Sequence, residues 1–439
     1  MDSSITPHSG FQFRAGYACE KITPEPGSFG SFRLAPNKRS LGIHDTLWAQ
    51  ALFLSSGESR LMLLSLDVGM LEESTTNLIK SGICRAAGLL PQEITISATH
   101  THNAAEVFCE EPGTRAIRQL EKVEARAVAA AESAFENQFI ARLGWGAVEC
   151  PGLAKNRFQD RIGGDIDKVD NRLDFLRIDD AAGSFKGLIW HFAAHPTTAM
   201  RAEYHSSADF CGEVNRYIRS TTGGFSMFFN GACGNINLEL GERSFVNAAF
   251  FGKKIADSIL AALPSTPTHE IVHLRSKQVE IQIPLTSKRS EIGLAGDIDE
   301  ISAYFDDIEK QIIEPEAYDS AFSLYRRLRT SWWKHKLVQG YSEKEFETIT
   351  IQAHRILDTL ILTIPGELFI ELQFELQQAM PGRRALIFGY SNGFIGYIPD
   401  PESFEIDTYE TSPSYIHRAG KFAGMQMIRK GIEMFEDLI

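Results

Sequence analysis

Short apolar runs alternate with stretches of helical periodicity along most of this chain. The runs at 47–54 and 61–66 flank the polar turn SSGES, which predicts a β-hairpin. A helical pattern at 73–87 follows, and an apolar run at 94–98 comes next. A strand, a helix and a second strand in this order form a right-handed crossover, so the two strands are expected to pair in parallel.

The later pattern extends this arrangement to the whole chain. Apolar spacing predicts an amphipathic helix over 115–135 and a C-terminal helix from about residue 419. The sequence therefore predicts an α/β fold, in which mixed, partly parallel central sheets are flanked by helices. In such sheets ligands collect beyond the carboxyl ends of the parallel strands. Further strands are predicted at 139–147, 186–194, 225–229, 358–364 and 385–389.

The domain organisation is expected to be simple. We predict an N-terminal arm over 1–14 and one α/β domain over 15–439. Residues 297–340 differ in character, because helical spacing there is interrupted by Pro315 and set within a charged face. We interpret this segment as a helical insertion that serves as an oligomer contact or a lid, so a homo-oligomer is among the expected assemblies.

Composition and charge exclude several classes of function. The 439 residues are 43% hydrophobic and 23% charged, as in globular proteins, and no apolar run approaches the roughly 20 residues of a transmembrane helix. A net charge of -13 disfavours nucleic-acid binding. The first residues lack the pattern of a secretion signal, and the six cysteines lack CxxC spacing. We therefore expect a cytoplasmic protein with reduced, mostly buried thiols.

Three of the predicted strands end in residue types that bind zinc. His100 and His195 follow two buried strands, and Glu367 follows a third. Two histidines and a carboxylate form a known ligand set for a catalytic zinc with an open position. The HTH sequence also offers His102, which in an extended chain points to the same side as His100. On spacing alone, capping and ordinary core hydrogen bonding explain each of these residues equally well.

The order of the short motifs resembles a known family. The sequence is similar to the neutral/alkaline non-lysosomal ceramidases over about residues 15–430, the catalytic part of those proteins, and the family's secretion signal and C-terminal β-sandwich are not matched. The resemblance implies a zinc amidase that cleaves the N-acyl bond of a lipid amide such as ceramide, with Zn2+ as its cofactor. The motifs are AGYACEKITP, SLDVGML, ISATHTHN, FAAHPTTAM, SADFCGE, NGACGNIN, TIPGELF and GYIPDPESFEIDTYE.

The resemblance also implies roles for individual residues. It implies that His100, His195, Glu367 and Tyr397 are the zinc ligands. His102 would then face the substrate instead of the metal, which requires the chain to bend at Thr101.

The residues expected around the substrate follow from the same motifs. The resemblance implies that Tyr409 hydrogen-bonds the substrate carbonyl and that Arg157 lines the pocket. Asn237 stands where the family has a serine, and Asn103 likewise replaces the serine after HTH. Asn237 is expected to orient polar groups of the substrate.

Two acidic residues are expected near the ligands. Asp67 and Asp209 are predicted either to orient the ligand histidines from outside the ligand set or, for Asp209, to cap the following helix.

The sequence thus predicts a zinc-dependent hydrolase of the neutral ceramidase type, in which a metal-activated water attacks an N-acyl amide or a related carbonyl. Its expected partner is a small-molecule or lipid-like amide or ester substrate. Two alternatives stay open: a cytoplasmic esterase or lactonase acting on a small polar substrate, and a catalytically silent relative that only binds its ligand.

Overall fold

A computed structural model describes residues 12–26, 40–104, 115–157, 168–200, 202–238, 241–286, 345–406, 408, 410–411 and 418–439. The predicted helical insertion over 297–340 lies outside the described residues, as does Tyr409. The first strand begins at Arg14, the last residue of the predicted arm.

The described residues form six helices and eighteen strands, several of them very short. The helices are α1 (Glu73–Ala87), α2 (Arg115–Glu136), α3 (Asp209–Thr222), α4 (Phe245–Ala262), α5 (Ile370–Ala379) and α6 (Ala423–Leu438). The strands are β1 (Arg14–Lys21), β2 (Gly42–Ile43), β3 (Trp48–Ser56), β4 (Ser59–Leu66), β5 (Ile94–Ala98), β6 (Gln138–Glu149), β7 (Ala154–Asn156), β8 (Arg172–Asp180), β9 (Phe185–Phe192), β10 (His205–Ser206), β11 (Phe225–Asn230), β12 (Ile236–Leu238), β13 (Leu274–Pro284), β14 (Phe346–Ile356), β15 (Thr359–Thr363), β16 (Glu367–Leu368), β17 (Arg384–Phe388) and β18 (Tyr397–Ile398).

Two sheets dominate the fold, and both mix strand directions. The larger sheet has the order β11-β9-β8-β6-β1-β3-β4-β5 and is parallel only at its two edges, where β9 pairs with β11 and β4 with β5. The smaller sheet has the order β13-β14-β15-β17, with β15 and β17 parallel. The predicted fold class and the predicted hairpin β3–β4 are confirmed.

The two parallel ends of the larger sheet lie close together. Ser65 on β4 donates a hydrogen bond to the carbonyl of Phe228 on β11 (2.6 Å). The end of β17 lies between these edges, because the amide of Gly389 donates to Asn230 (2.9 Å) and the amide of Ala98 donates to Tyr390 (3.1 Å). The carboxyl ends of β5, β9, β11, β15 and β17 are therefore gathered in one place.

The helices bury their apolar faces against the sheets. Ile79 and Ile83 of α1 and Val123 and Ala127 of α2 are fully buried in the main hydrophobic cluster, so the predicted amphipathic helix serves as scaffold. Among the described helices, none combines the length and the apolar character that a bilayer crossing needs.

Asn392, in the loop after β17, forms two hydrogen bonds with β5 and a third with β14. Its side-chain oxygen accepts from the amide of Ile96 (3.1 Å), its side-chain nitrogen donates to Gln352 (2.8 Å), and its own amide donates to the carbonyl of Ile96 (2.8 Å). Its φ of 61° lies in the left-handed region, which asparagine tolerates better than most residues.

We therefore expect Asn392→Ala to lower the free energy of unfolding by about 2–3 kcal/mol, through an unsatisfied buried amide and a left-handed alanine. Asn392→Gly removes the same contacts without the steric cost, so it should recover about 1 kcal/mol. Urea unfolding of both variants measures the difference. Equal losses in the two variants would contradict the role of the backbone conformation.

Candidate metal centre

His100 lies two residues beyond β5, and its backbone turns the chain. Its φ is 67°, in the left-handed region, so the chain already turns at His100, and the predicted bend at Thr101 stays a prediction. The amide of His100 donates to the carbonyl of Val68 (3.0 Å), and its ring Nδ1 hydrogen-bonds the carbonyl of Gly69. The contacts with the end of β4 hold the left-handed conformation, which local sequence disfavours for a histidine.

His195 lies three residues beyond β9 and is held in the same manner. Its amide donates to the carbonyl of Ile236 (2.9 Å), and its Nδ1 hydrogen-bonds the carbonyl of Cys233 (2.6 Å). The two histidine loops are joined directly, since the amide of His102 donates to the carbonyl of Pro196 (3.3 Å).

Glu367 begins β16, which pairs in parallel with β18 so that Glu367 lies opposite Tyr397. The backbone of Glu367 packs tightly on the small residues of the NGACGNIN loop. A Cβ on Gly234 would lie 2.4 Å from the carbonyl oxygen of Glu367, so only glycine permits this approach.

The side chains of His100, His195 and Glu367 converge on one point. Oε2 of Glu367 lies 3.0 Å from Nε2 of His195 and 3.4 Å from Nε2 of His100. Carbonyl oxygens only accept hydrogen bonds, so the proton of each ring is on Nδ1 and each Nε2 presents a lone pair. Three acceptor atoms thus face one another in a buried site, where they repel unless a cation lies among them. This donor set fits a metal ion.

The electrostatics of the site agree with this assignment. Burial, aided by the nearby charge of Arg157, lowers the pKa of His195, so its ring is neutral at pH 7. Burial raises the pKa of Glu367, but positive charge at His100 and His195 outweighs it and leaves that pKa well below its usual value, so the carboxylate is ionised whenever a cation lies beside it. Neutral imidazoles and an ionised carboxylate are the forms that bind metals.

His102 belongs to the same cluster. Its Nε2 lies 3.3 Å from Nε2 of His100, and the ring nitrogens of His100, His102 and His195 lie within 4.8 Å of one another. The three rings therefore form a group that could hold a metal ion. The division in which His100 binds the metal and His102 faces the substrate stays a prediction.

Arg157 and Tyr397 lie side by side at the edge of this cluster. The Tyr397 ring stacks near the His195 ring, with centroids 6.3 Å apart. The guanidinium of Arg157 lies 5.3 Å from the Tyr397 ring centroid, donates to the carbonyl of Gly234 (2.6 Å) and pairs with Glu410 (2.9 Å). The structure thus brings both predicted residues to the site, although a bond from Tyr397 to a metal stays a prediction.

The two asparagines differ in their surroundings. Asn103 is buried, and its side-chain amide donates to the carbonyl of Ala199 (2.6 Å), which ties the HTH loop to the loop after His195. Asn237 forms a backbone bridge with His195, and its buried Oδ1 accepts no hydrogen bond from the described residues. The side-chain oxygen of Asn237 can therefore accept a hydrogen bond from a ligand bound beside the histidines.

The expectation that Asp67 and Asp209 orient the rings of the ligand histidines is wrong. The ring Nδ1 atoms of His100 and His195 contact backbone carbonyls, whereas Asp67 accepts from the amide of Trp48 (2.8 Å). The N-cap position of α3 is Ala208, but the carboxylate of Asp209 accepts from the first-turn amide of Phe210 (2.7 Å), as a capping group does, and also from the amides of Thr198 and Ala199. Asp209 therefore fixes the loop after His195 through its backbone.

Sequence reasoning missed Tyr390, which is fully buried two residues beyond β17. Its ring stacks on the His100 ring with centroids 4.0 Å apart and planes 20° apart. Its position in the sequence could have identified it, because Tyr390 lies just beyond the end of a predicted strand, as His100 does.

Comparison with known proteins identifies the fold. No protein-family model and no curated protein matches the sequence. Among solved structures, the neutral ceramidase from Pseudomonas aeruginosa has a TM-score of 0.74 at 19% identity, and the match covers 97% of this chain and 74% of that one. A ceramidase complexed with C2 has a TM-score of 0.73 at 17% identity, covering 97% and 75%. The resemblance in the motifs is thus confirmed at the level of the fold.

Proposed function

We propose that this protein is a zinc-dependent hydrolase that cleaves an N-acyl amide or a related carbonyl bond. The observation that carries the proposal is the convergence of two Nε2 lone pairs and one carboxylate oxygen, each ring being anchored through Nδ1 to a carbonyl. Anchored imidazoles of this kind are characteristic of zinc sites. His100, His195, Glu367 and Tyr397 would hold the ion.

When bound, zinc would lower the pKa of a water molecule to about 7 and polarise the substrate carbonyl. His102 would carry the proton to the leaving group, since an imidazole titrates near neutral pH. Arg157 would bind an acceptor group of the substrate, held in place by Glu410. Tyr409 would donate a hydrogen bond to the substrate carbonyl oxygen, and such a donor is worth roughly 3–4 kcal/mol in the transition state.

The substrate class is the least constrained part of the proposal. The fold likeness to ceramidases supports a lipid amide. Asn237 in place of the family serine supports a second candidate, an ester or lactone with a small polar body, because an amide presents two N–H donors and a carbonyl acceptor where serine has a single hydroxyl. A ligand-binding relative without activity is the outcome if no member of these classes is hydrolysed.

Metal analysis and a substrate panel test the proposal together. We expect protein purified without added metal, then exposed to zinc and desalted, to retain about one zinc per chain. Zinc content is measured by elemental analysis. Less than about half an equivalent would contradict the metal site.

The panel contains a short-chain ceramide, simple N-acyl amides, esters and lactones. At least one class should be hydrolysed by the zinc-loaded protein, and chelation should abolish the activity until zinc is restored. The metal-depleted protein is the control for contaminating hydrolases. A zinc-loaded protein that hydrolyses none of these compounds favours the ligand-binding relative.

A further inference from the structure

Tyr390 belongs to the main hydrophobic cluster and also contacts the candidate metal centre through its ring and its hydroxyl. Both His100 and Tyr390 have positive φ values, 67° and 54°, which side-chain-bearing residues seldom adopt. Such conformations persist only where surrounding contacts enforce them, and they concentrate at functional sites. Here they place the two rings face to face, with centroids 4.0 Å apart.

The hydroxyl of Tyr390 extends the contact to a second proposed ligand. Its Oη lies 3.5 Å from Oε2 of Glu367, the same oxygen that faces the two histidines. It also lies 3.0 Å from Sγ of Cys233, whose backbone carbonyl anchors His195. A phenol both donates and accepts, so the thiol can donate to Oη while Oη donates to the carboxylate.

A phenylalanine would fill the same volume without burying a hydroxyl. Burying a hydroxyl costs free energy unless it is hydrogen-bonded, and the partners of Tyr390 are a proposed ligand and the residue that anchors another. The Tyr390 side chain thus contacts His100 through its ring, and its hydroxyl contacts both the Glu367 carboxylate and the Cys233 thiol.

We propose that Tyr390 is a positioning residue of the metal centre, which fixes the orientation of the His100 ring and of the Glu367 carboxylate. The proposal rests on the proposed metal-dependent function. It predicts that the Tyr390 hydroxyl contributes to metal affinity, in addition to whatever the ring contributes to stability.

The test compares Tyr390→Phe with Tyr17→Phe. Tyr17 is a matched control on β1, since its ring stacks on Phe225 at 4.0 Å and its hydroxyl bonds the side chain of Gln50 (2.8 Å). We expect Tyr390→Phe to weaken zinc binding about 10-fold, within the range found for groups that support metal ligands. Tyr17→Phe should bind zinc as the wild type does. Affinity is measured by competition with a chromogenic chelator.

Cobalt substitution gives a second readout that does not depend on activity. The visible absorption of bound Co2+ reports ligand geometry, so its bands should shift in Tyr390→Phe and stay unchanged in Tyr17→Phe. Cys233→Ala removes the thiol donor without touching the ring and should weaken zinc binding in the same direction but by less. Circular dichroism of each metal-free variant establishes that it is folded.

The outcomes separate this proposal from the one on which it rests. Wild-type affinity and an unchanged cobalt spectrum in Tyr390→Phe would make Tyr390 a packing residue and overturn the proposal alone. A wild-type protein that binds neither zinc nor cobalt would overturn both. Should Tyr390→Phe fail to fold, Cys233→Ala decides, because unchanged zinc binding there overturns the hydrogen-bonded arrangement.

Discussion

Replacing Glu367 with glutamine is expected to abolish metal binding without destabilising the metal-free protein. Among the described residues that we propose as ligands, only Glu367 has a carboxylate. Its Oε2 atom lies beside both His100 and His195, so its negative charge acts directly on the ion. Its loss should weaken zinc binding by more than the ~10–100-fold typical of a group outside the ligand set. Chelator competition measures this loss.

The expected stability of metal-free Glu367→Gln follows from the hydrogen bonds that glutamine can form. In the wild type the Glu367 carboxylate faces two Nε2 lone pairs, an arrangement that suits a cation and is unfavourable without one. The amide of glutamine can donate to those lone pairs. The metal-free variant should therefore be at least as stable as the metal-free wild type, with a gain of about 1–2 kcal/mol when the new hydrogen bonds form. Thermal unfolding of both metal-free proteins measures it.

Glu371→Gln is the control for this substitution. Glu371 is half-buried on α5 and accepts from the side-chain amide of Asn235 (2.8 Å), so the same chemical change occurs near the site but outside the converging group. Zinc binding should be unaffected there. Full zinc retention in Glu367→Gln, or early unfolding of its metal-free form, would remove Glu367 from the ligand set.

The placement of the site was predictable because it depends on strand direction. Apolar runs identified β5, β9 and β15, and each run was followed by a polar residue of a metal-binding type. Ligand-binding residues gather at the carboxyl ends of parallel strands, and this rule together with the family resemblance led to the expectation that His100, His195 and Glu367 meet. Their measured separations agree with that expectation.

The finer geometry was not predictable, because tertiary contacts decide it. No local signal favours a left-handed histidine, and the conformation of His100 depends on the carbonyls of Val68 and Gly69, some thirty positions earlier in the chain. The hydrogen bonds between backbone carbonyls and the His100 and His195 rings were equally unpredictable, because every residue has a backbone carbonyl and its side chain does not indicate which ring that carbonyl contacts. The sequence therefore suggested Asp67 and Asp209 as the residues that orient the rings, whereas backbone carbonyls hold them.

Replacing His102 with alanine is expected to leave zinc bound while lowering hydrolysis by about 10²–10⁴-fold, the usual worth of a positioned general acid or base. The exposed fraction of the ring supports this division. His102 is 8% exposed, whereas His100 is 0% and His195 is 1% exposed, so His102 is the histidine that a substrate can reach. His195→Ala is the contrasting variant, because it should lose both zinc and activity. If His102→Ala loses zinc as His195→Ala does, the site is a three-histidine centre and the proton must be carried by another group.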